Sequence, residues 1–165
     1  MTPLDPYKVI EFYLPWILKQ FQLPNKFHIF LVDGKNPENP KNYGYYSHDH
    51  REVVLYMGAN STIEKVLDTL AHELKHVEQY FLSKLSAGWH GNKHWKEDPN
   101  SNNFRSYSAS TLEDHYWYLP WEVEAREAAK EFLDKFHKLH KNFDIIRRLE
   151  WRFFKPSNKK VYHIG

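Results

Sequence analysis

No cysteine occurs among the 165 residues. Disulfides and thiolate metal sites are thereby excluded, and any metal must be held by histidine or carboxylate. Charge of one sign is also scarce: 23 Lys and Arg against 21 Asp and Glu leave a formal charge of +2, too little by itself to mark a nucleic-acid or membrane-surface partner. No apolar run approaches the length that crosses a bilayer. The opening stretch, MTPLDPYKVIEFYLPWILKQ, lacks the basic start, unbroken apolar segment and small-residue cleavage site of a secretory leader. A cytoplasmic protein with no membrane partner is therefore expected.

What the chain does have is large side chains. A hydrophobic fraction of 41% and an aromatic fraction of 17% exceed what disordered chains carry and supply a core. The length suits one domain over 1–165. Asp5 and Pro6 read as the cap and first turn of a short leading helix that Pro15 should kink or end. Residues 26 to 32, KFHIFLV, alternate as a strand does and stop at the turn-rich DGKNPENP; EVVLY at 52 to 56 is a second strand, and YGYYS at 43 to 47 a weaker one. The expectation is an α+β fold with a small, mostly antiparallel sheet. Residues 84 to 119 show no clear period, which in a compact domain marks a functional or disordered loop. A second long helix is expected from 120 to about 141.

Ser61 and Glu64 have capping-box spacing, and the helix they would open contains TLAHELKHVEQY at 69 to 80. At 100° per residue, Ile63, Val66, Leu67, Leu70, Leu74, Val77 and Phe81 form one apolar stripe that must face the core. His72 and His76, four residues apart, point together on nearly the opposite side, close enough to share one tetrahedral metal. Glu73 projects to the flank of the pair, where it can reach a metal-held water without ligating. In a chain with 11 histidines an HExxH pattern alone is only moderately specific, and two solvated histidines on a helix are the plainer explanation. Placement on a capped, amphipathic helix after a sheet gives the metal reading its weight.

Zinc hydrolases commonly use three protein ligands. Gln79 and Leu82 stand where HExxHxxGxxH would need Gly and His, so that solution is excluded. In LPWEVEAREAAKEFL, residues 119 to 133, Glu122 shares a helical face with Ala125, Ala129, Leu133 and Phe136, an inward side where a carboxylate needs a partner. A metal is one partner; favourable placement in the first turn of the helix dipole is the other explanation. Glu124 falls on a more easily solvated face and is the main rival, with His90, His94 and His115 behind it. His115, Tyr116 and Tyr118 are donors placed to stabilise an oxyanion, although packing is the simpler role for each.

The HExxH of His72, Glu73 and His76, with the E-x-x-A element Glu122 to Ala125, resembles zincin metallopeptidases of the gluzincin kind, in which a glutamate on a later helix follows the motif. The PWEVEA stretch is similar to that of small phage and bacterial metallopeptidase-like proteins. The resemblance covers roughly residues 52 to 133; Arg126 stands where some gluzincins place an acidic residue or Asn. It implies a small zincin-like fold, with a sheet above the HExxH helix and a second long helix carrying the third ligand. It further implies a zinc ion on His72, His76 and Glu122, with Glu73 as general base in endopeptidase cleavage of a peptide or protein substrate. An edge strand, with 52 to 56 the expected one, would hold the substrate extended. Two other readings remain: a catalytically silent zincin scaffold that only binds, and nucleic-acid binding through Arg147, Arg148, Trp151, Arg152, Phe153, Phe154, Lys155, Lys159 and Lys160. The intact Glu73 argues against the first, and a basic, solvated helix end explains the second more simply.

Overall fold

The computed structural model describes residues 6–60, 62–140 and 160–164. The fold is α+β, with four α-helices and two small sheets among the described residues. The first sheet has the order β2-β3-β1-β7. Its strands are β1 (Phe27–Val32), β2 (Gly44–Ser47), β3 (Glu52–Tyr56) and β7 (Lys160–Ile164). The central pair β1 and β3 is parallel, in register from His28 opposite Glu52 to Val32 opposite Tyr56. Both outer pairings are antiparallel. The sheet is thus mixed, and β3 lies inside it. This corrects the expectation that 52 to 56 is the edge strand: both its sides are hydrogen-bonded, as befits three consecutive buried residues, Val53, Val54 and Leu55. The edges among the described residues are β2 and β7, and β2 is the one that lies against α2.

α1 (Pro6–Leu18) continues through Pro15 rather than ending there. A proline inside a helix removes one backbone hydrogen bond. Here Ile10, Leu14 and Ile17 are buried, and Trp16 and Tyr13 pack edge-on against Phe136, with centroids 5.4 and 4.9 Å away. This packing holds the helix together across the lost bond. Asp5 lies outside the described residues.

α2 (Ile63–Phe81) is capped one residue later than the capping box requires: the Thr62 hydroxyl accepts from the Lys65 amide at 3.1 Å. Ser61 lies outside the described residues. The apolar stripe from Ile63 to Val77 is buried against the sheet and α4, but Phe81, at the last turn, is half exposed. α4 (Pro120–Leu139) begins with proline, whose missing N–H costs nothing in the first turn. It packs against α2, sharing the apolar core through Ala129, Phe132 and Phe136, and Ala125 is buried as well.

The chain between these helices is ordered, contrary to its reading as a loop. β4 (Leu85–Ala87), β5 (Lys93–Trp95) and β6 (Arg105–Tyr107) form an antiparallel sheet, followed by α3 (Ala109–Asp114). Strands of three residues are too short to show a period. They are held by a separate apolar cluster of Leu85, Trp95, Leu119 and Trp121. Of the basic and aromatic residues near the C-terminus, Arg147, Arg148, Trp151, Arg152, Phe153, Phe154, Lys155 and Lys159 lie outside the described residues, and Lys160 opens β7. No described helix is long and apolar enough to cross a membrane.

One buried side chain sets the position of β2 over α2. Asn60 is inaccessible to solvent. It donates to the carbonyls of Tyr43 and Tyr56 at 2.9 and 2.7 Å and accepts from the Thr69 hydroxyl at 2.7 Å. The approach is close enough that a Cβ on Gly44 would meet the Val54 carbonyl at 2.5 Å and Leu55 Cδ2 at 2.9 Å. Backbone cannot yield as a side-chain tip can. Gly44→Ala should therefore cost about 1–3 kcal/mol through overpacking, read from the midpoint of urea unfolding. A wild-type midpoint would show that β2 is not held as tightly as this contact requires.

Candidate metal centre

His72, Glu73 and His76 come together on α2, with ligand-capable atoms within 4.8 Å of one another, in a group that could hold a metal ion. α4 adds a second carboxylate. Glu122 Oε2 lies 3.0 Å from His72 Nε2, and Glu122 Oε1 lies 3.1 Å from His76 Nε2. Ligand atoms about 2.0–2.1 Å from a tetrahedral ion stand about 3.3–3.4 Å apart, so these separations are only slightly tighter. Two imidazoles and a carboxylate are also a donor set that suits such an ion in a chain without thiolates. Glu124 is placed elsewhere. Its carboxylate meets Lys84 Nζ at 2.5 Å and Gln79 Nε2 at 3.2 Å. His90, His94 and His115 do not line the cleft that holds the group; His94 stacks on Phe104 at 4.5 Å.

Gln79, read in the sequence only as a departure from another motif, is buried at the junction of the two helices. Its amide nitrogen donates to the Trp121 carbonyl at 3.0 Å and to Glu124, both of which only accept. The amide oxygen must then face His76 Nδ1, 2.8 Å away, and that nitrogen must carry a proton. Nε2 is left to face Glu122. Such a partner on the far nitrogen is how metal-binding histidines are oriented. Nothing in the HExxH pattern announces it; a polar residue at i+3 from His76, on a buried flank of the helix, is the only signal.

The electrostatics show a site that favours positive charge. Burial works against a charged His76, yet the Glu122 hydrogen bond and the charges of Glu73 and Glu122 outweigh it and raise its pKa to about 9. Burial likewise pushes Glu122 up, but its bonds to His72 and His76 win and hold its carboxyl well below the usual range. Glu73 is raised, chiefly by burial. Two carboxylates in one buried place need a cation between them.

The group lies in a cleft of about 870 Å³. One wall is the free edge of β2. Because the Tyr56 amide donates to the Tyr43 carbonyl, strand alternation turns the backbone groups of Gly44 and Tyr46 outward. The Gly44 amide is taken by Asn42 and the Tyr46 amide by Glu73. The opposite wall includes Lys93, Tyr116, Trp117, Trp121 and Arg126. Of the three residues considered as oxyanion donors, Tyr116 alone lines the cleft. More than half of its side chain is exposed, but the phenol end is turned inward and its pKa is raised by burial, by the charges of Glu122 and Glu73, and by a hydrogen bond with Glu122. Arg126 donates to the Trp117 carbonyl at 2.7 Å and lies 3.7 Å from the centre of the Trp117 ring, fixing the turn that carries Tyr116.

No protein-family model matches this chain, and no curated protein or solved structure matches it either. The chemistry is accordingly argued from the geometry of the group itself.

Gln79→Leu keeps the size of the side chain but removes the acceptor for His76 Nδ1. Affinity for a divalent transition metal should fall about 10–100-fold, measured by competition with a chromogenic chelator on protein whose circular dichroism is unchanged. Wild-type affinity would mean that His76 is oriented by something other than Gln79.

Proposed function

We propose that the chain is a zinc metallopeptidase of the zincin type, cleaving peptide bonds by attack of water. The observation that carries this reading is the convergence of His72, His76 and Glu122 within 3.1 Å, with the Glu73 carboxylate beside them in an open cleft. Two buried carboxylates gathered on two histidines are a costly way to build a helix contact and an apt way to hold a cation. His72, His76 and Glu122 would hold the ion. Zinc held there supplies Lewis acidity, lowering the pKa of water and polarising a carbonyl.

The remaining work falls to the protein. Glu73 accepts a proton from the attacking water and returns it to the leaving amine. The Tyr46 amide on β2 offers this carboxylate a hydrogen bond. An extended peptide lies against β2, where the outward carbonyls of Gly44 and Tyr46 accept its amide hydrogens. Tyr116, holding its proton tightly, donates to the oxygen on which negative charge develops.

Two sets of variants test the reading. Under metal-replete conditions elemental analysis should find about one zinc per chain. Glu122→Gln should weaken zinc binding by at least about tenfold because an amide is a poorer ligand for a dication, while Glu124→Gln should change it less. The reverse order would assign the third ligand to Glu124.

Glu73→Gln should leave zinc content near wild type and reduce cleavage of a peptide library by at least about a hundredfold, since the amide cannot accept the proton. Wild-type turnover by this variant would require a different base. A zinc-loaded wild-type protein that cleaves nothing would leave a binding scaffold instead.

A further inference from the structure

The cleft contains an ammonium group with no assigned task. Lys93 opens β5 and is paired in register with Ala87 on one side and Tyr107 on the other, so its backbone is fixed by strands on both sides. Its side chain is partly buried, passes over the Trp121 ring with Nζ 5.9 Å from the ring centre, and lines the same cleft as His72, Glu73 and Glu122.

The cleft's other lysine, Lys41, is exposed and keeps its hydration, and three lysines outside the cleft are committed. Lys65 reaches the Tyr43 hydroxyl at 3.1 Å, Lys75 pairs with Glu78, and Lys84 pairs with Glu124. Arg126 is taken up by Trp117. Lys93 has no hydrogen-bond or ion-pair partner among the described residues; its contact is with an aromatic ring. The charge of Glu122 acts on it from a distance, but both oxygens of that carboxylate face the histidines. An ammonium that has lost part of its hydration and found no counter-ion is poised for an incoming anion.

We propose that Lys93 anchors a carboxylate of the bound peptide, so that the cleft selects anionic substrates. The inference rests on the peptidase reading above and names its substrate class. The carboxylate has two sources in a peptide, an acidic side chain or the free C-terminus, and both present the same two oxygens to Lys93. Strand β2 on one wall and Lys93 on the other then fix the peptide by its backbone and by one charge.

The test uses the zinc-loaded full chain and a synthetic peptide library in which each Asp or Glu peptide has an Asn or Gln twin, and each free C-terminus an amidated twin. Wild-type protein should favour the anionic member in kcat/KM by about tenfold, or about 1.4 kcal/mol, at one fixed position relative to the cleaved bond. In Lys93→Met that ratio should collapse to about one, and in Lys93→Arg it should persist, which separates loss of charge from loss of folding. Preference confined to internal acids identifies the side chain, and preference confined to free termini identifies the C-terminus. A wild-type ratio near one, or a Lys93→Met ratio equal to wild type, overturns the proposal.

If no peptide is cleaved, the peptidase reading fails and a second arm judges Lys93. N-acetylglutamate and N-acetylglutamine are titrated against wild type and Lys93→Met, with tryptophan fluorescence as the readout. Binding of the acid that is weakened about tenfold in Lys93→Met supports the anchor; equal binding by both proteins overturns it.

Discussion

The contact on which the structure turns is that of one carboxylate with two imidazoles across two helices. His72 and His76 belong to α2, Glu122 to the first turn of α4, and their atoms meet within 3.1 Å. Everything around them serves that meeting. The apolar faces of α2 and α4 set the helices against each other, Gln79 ties His76 to the Trp121 backbone immediately before Glu122, and Arg126 secures the preceding turn. Buried charge is costly when unpaired, so the same arrangement that could hold a cation would penalise any packing of α4 that left Glu122 alone.

The two walls of the cleft come from different parts of the chain and are held by different means. The β2 wall is tied to α2 by Asn60, a fully buried amide with three hydrogen-bond partners. The opposite wall rests on the small cluster of Leu85, Trp95, Leu119 and Trp121. Trp121 belongs to both structures, since its ring packs in this cluster and its carbonyl receives Gln79. A change in the three-stranded sheet is therefore felt at the helix that carries Glu122.

Much of this was legible in the sequence wherever a period was long enough to read. The 100° phase that separates Glu122 from Glu124 places the first against the histidines and the second against Lys84, as the structure has them. β1 and β3 stand out as apolar runs bounded by turns. The edge of the sheet was misassigned because alternation reports which face of a strand is buried and not which neighbour it has; the partners of β3 are set by the parallel pairing with β1. β4, β5 and β6 were invisible for a different reason, three residues being less than two periods of a strand. The cap falls on Thr62, one position later than the spacing to Glu64 indicates, and with hydroxyl residues at adjacent positions spacing alone does not choose. Gln79 could not be read at all, since its role depends on Trp121, 42 positions away.

His72 and Glu122 are separated by fifty positions. An ion bound by both would act as a reversible cross-link over that stretch, absent from the unfolded chain, in which the ligands are scattered. Linkage makes the consequence quantitative: free metal at a thousand times its Kd adds about 4 kcal/mol to the stability of the folded state, an amount comparable to the whole net stability of many small proteins. In such a molecule a chelator is a denaturant. The supply of metal would then help decide how long the folded chain survives in a medium containing proteases.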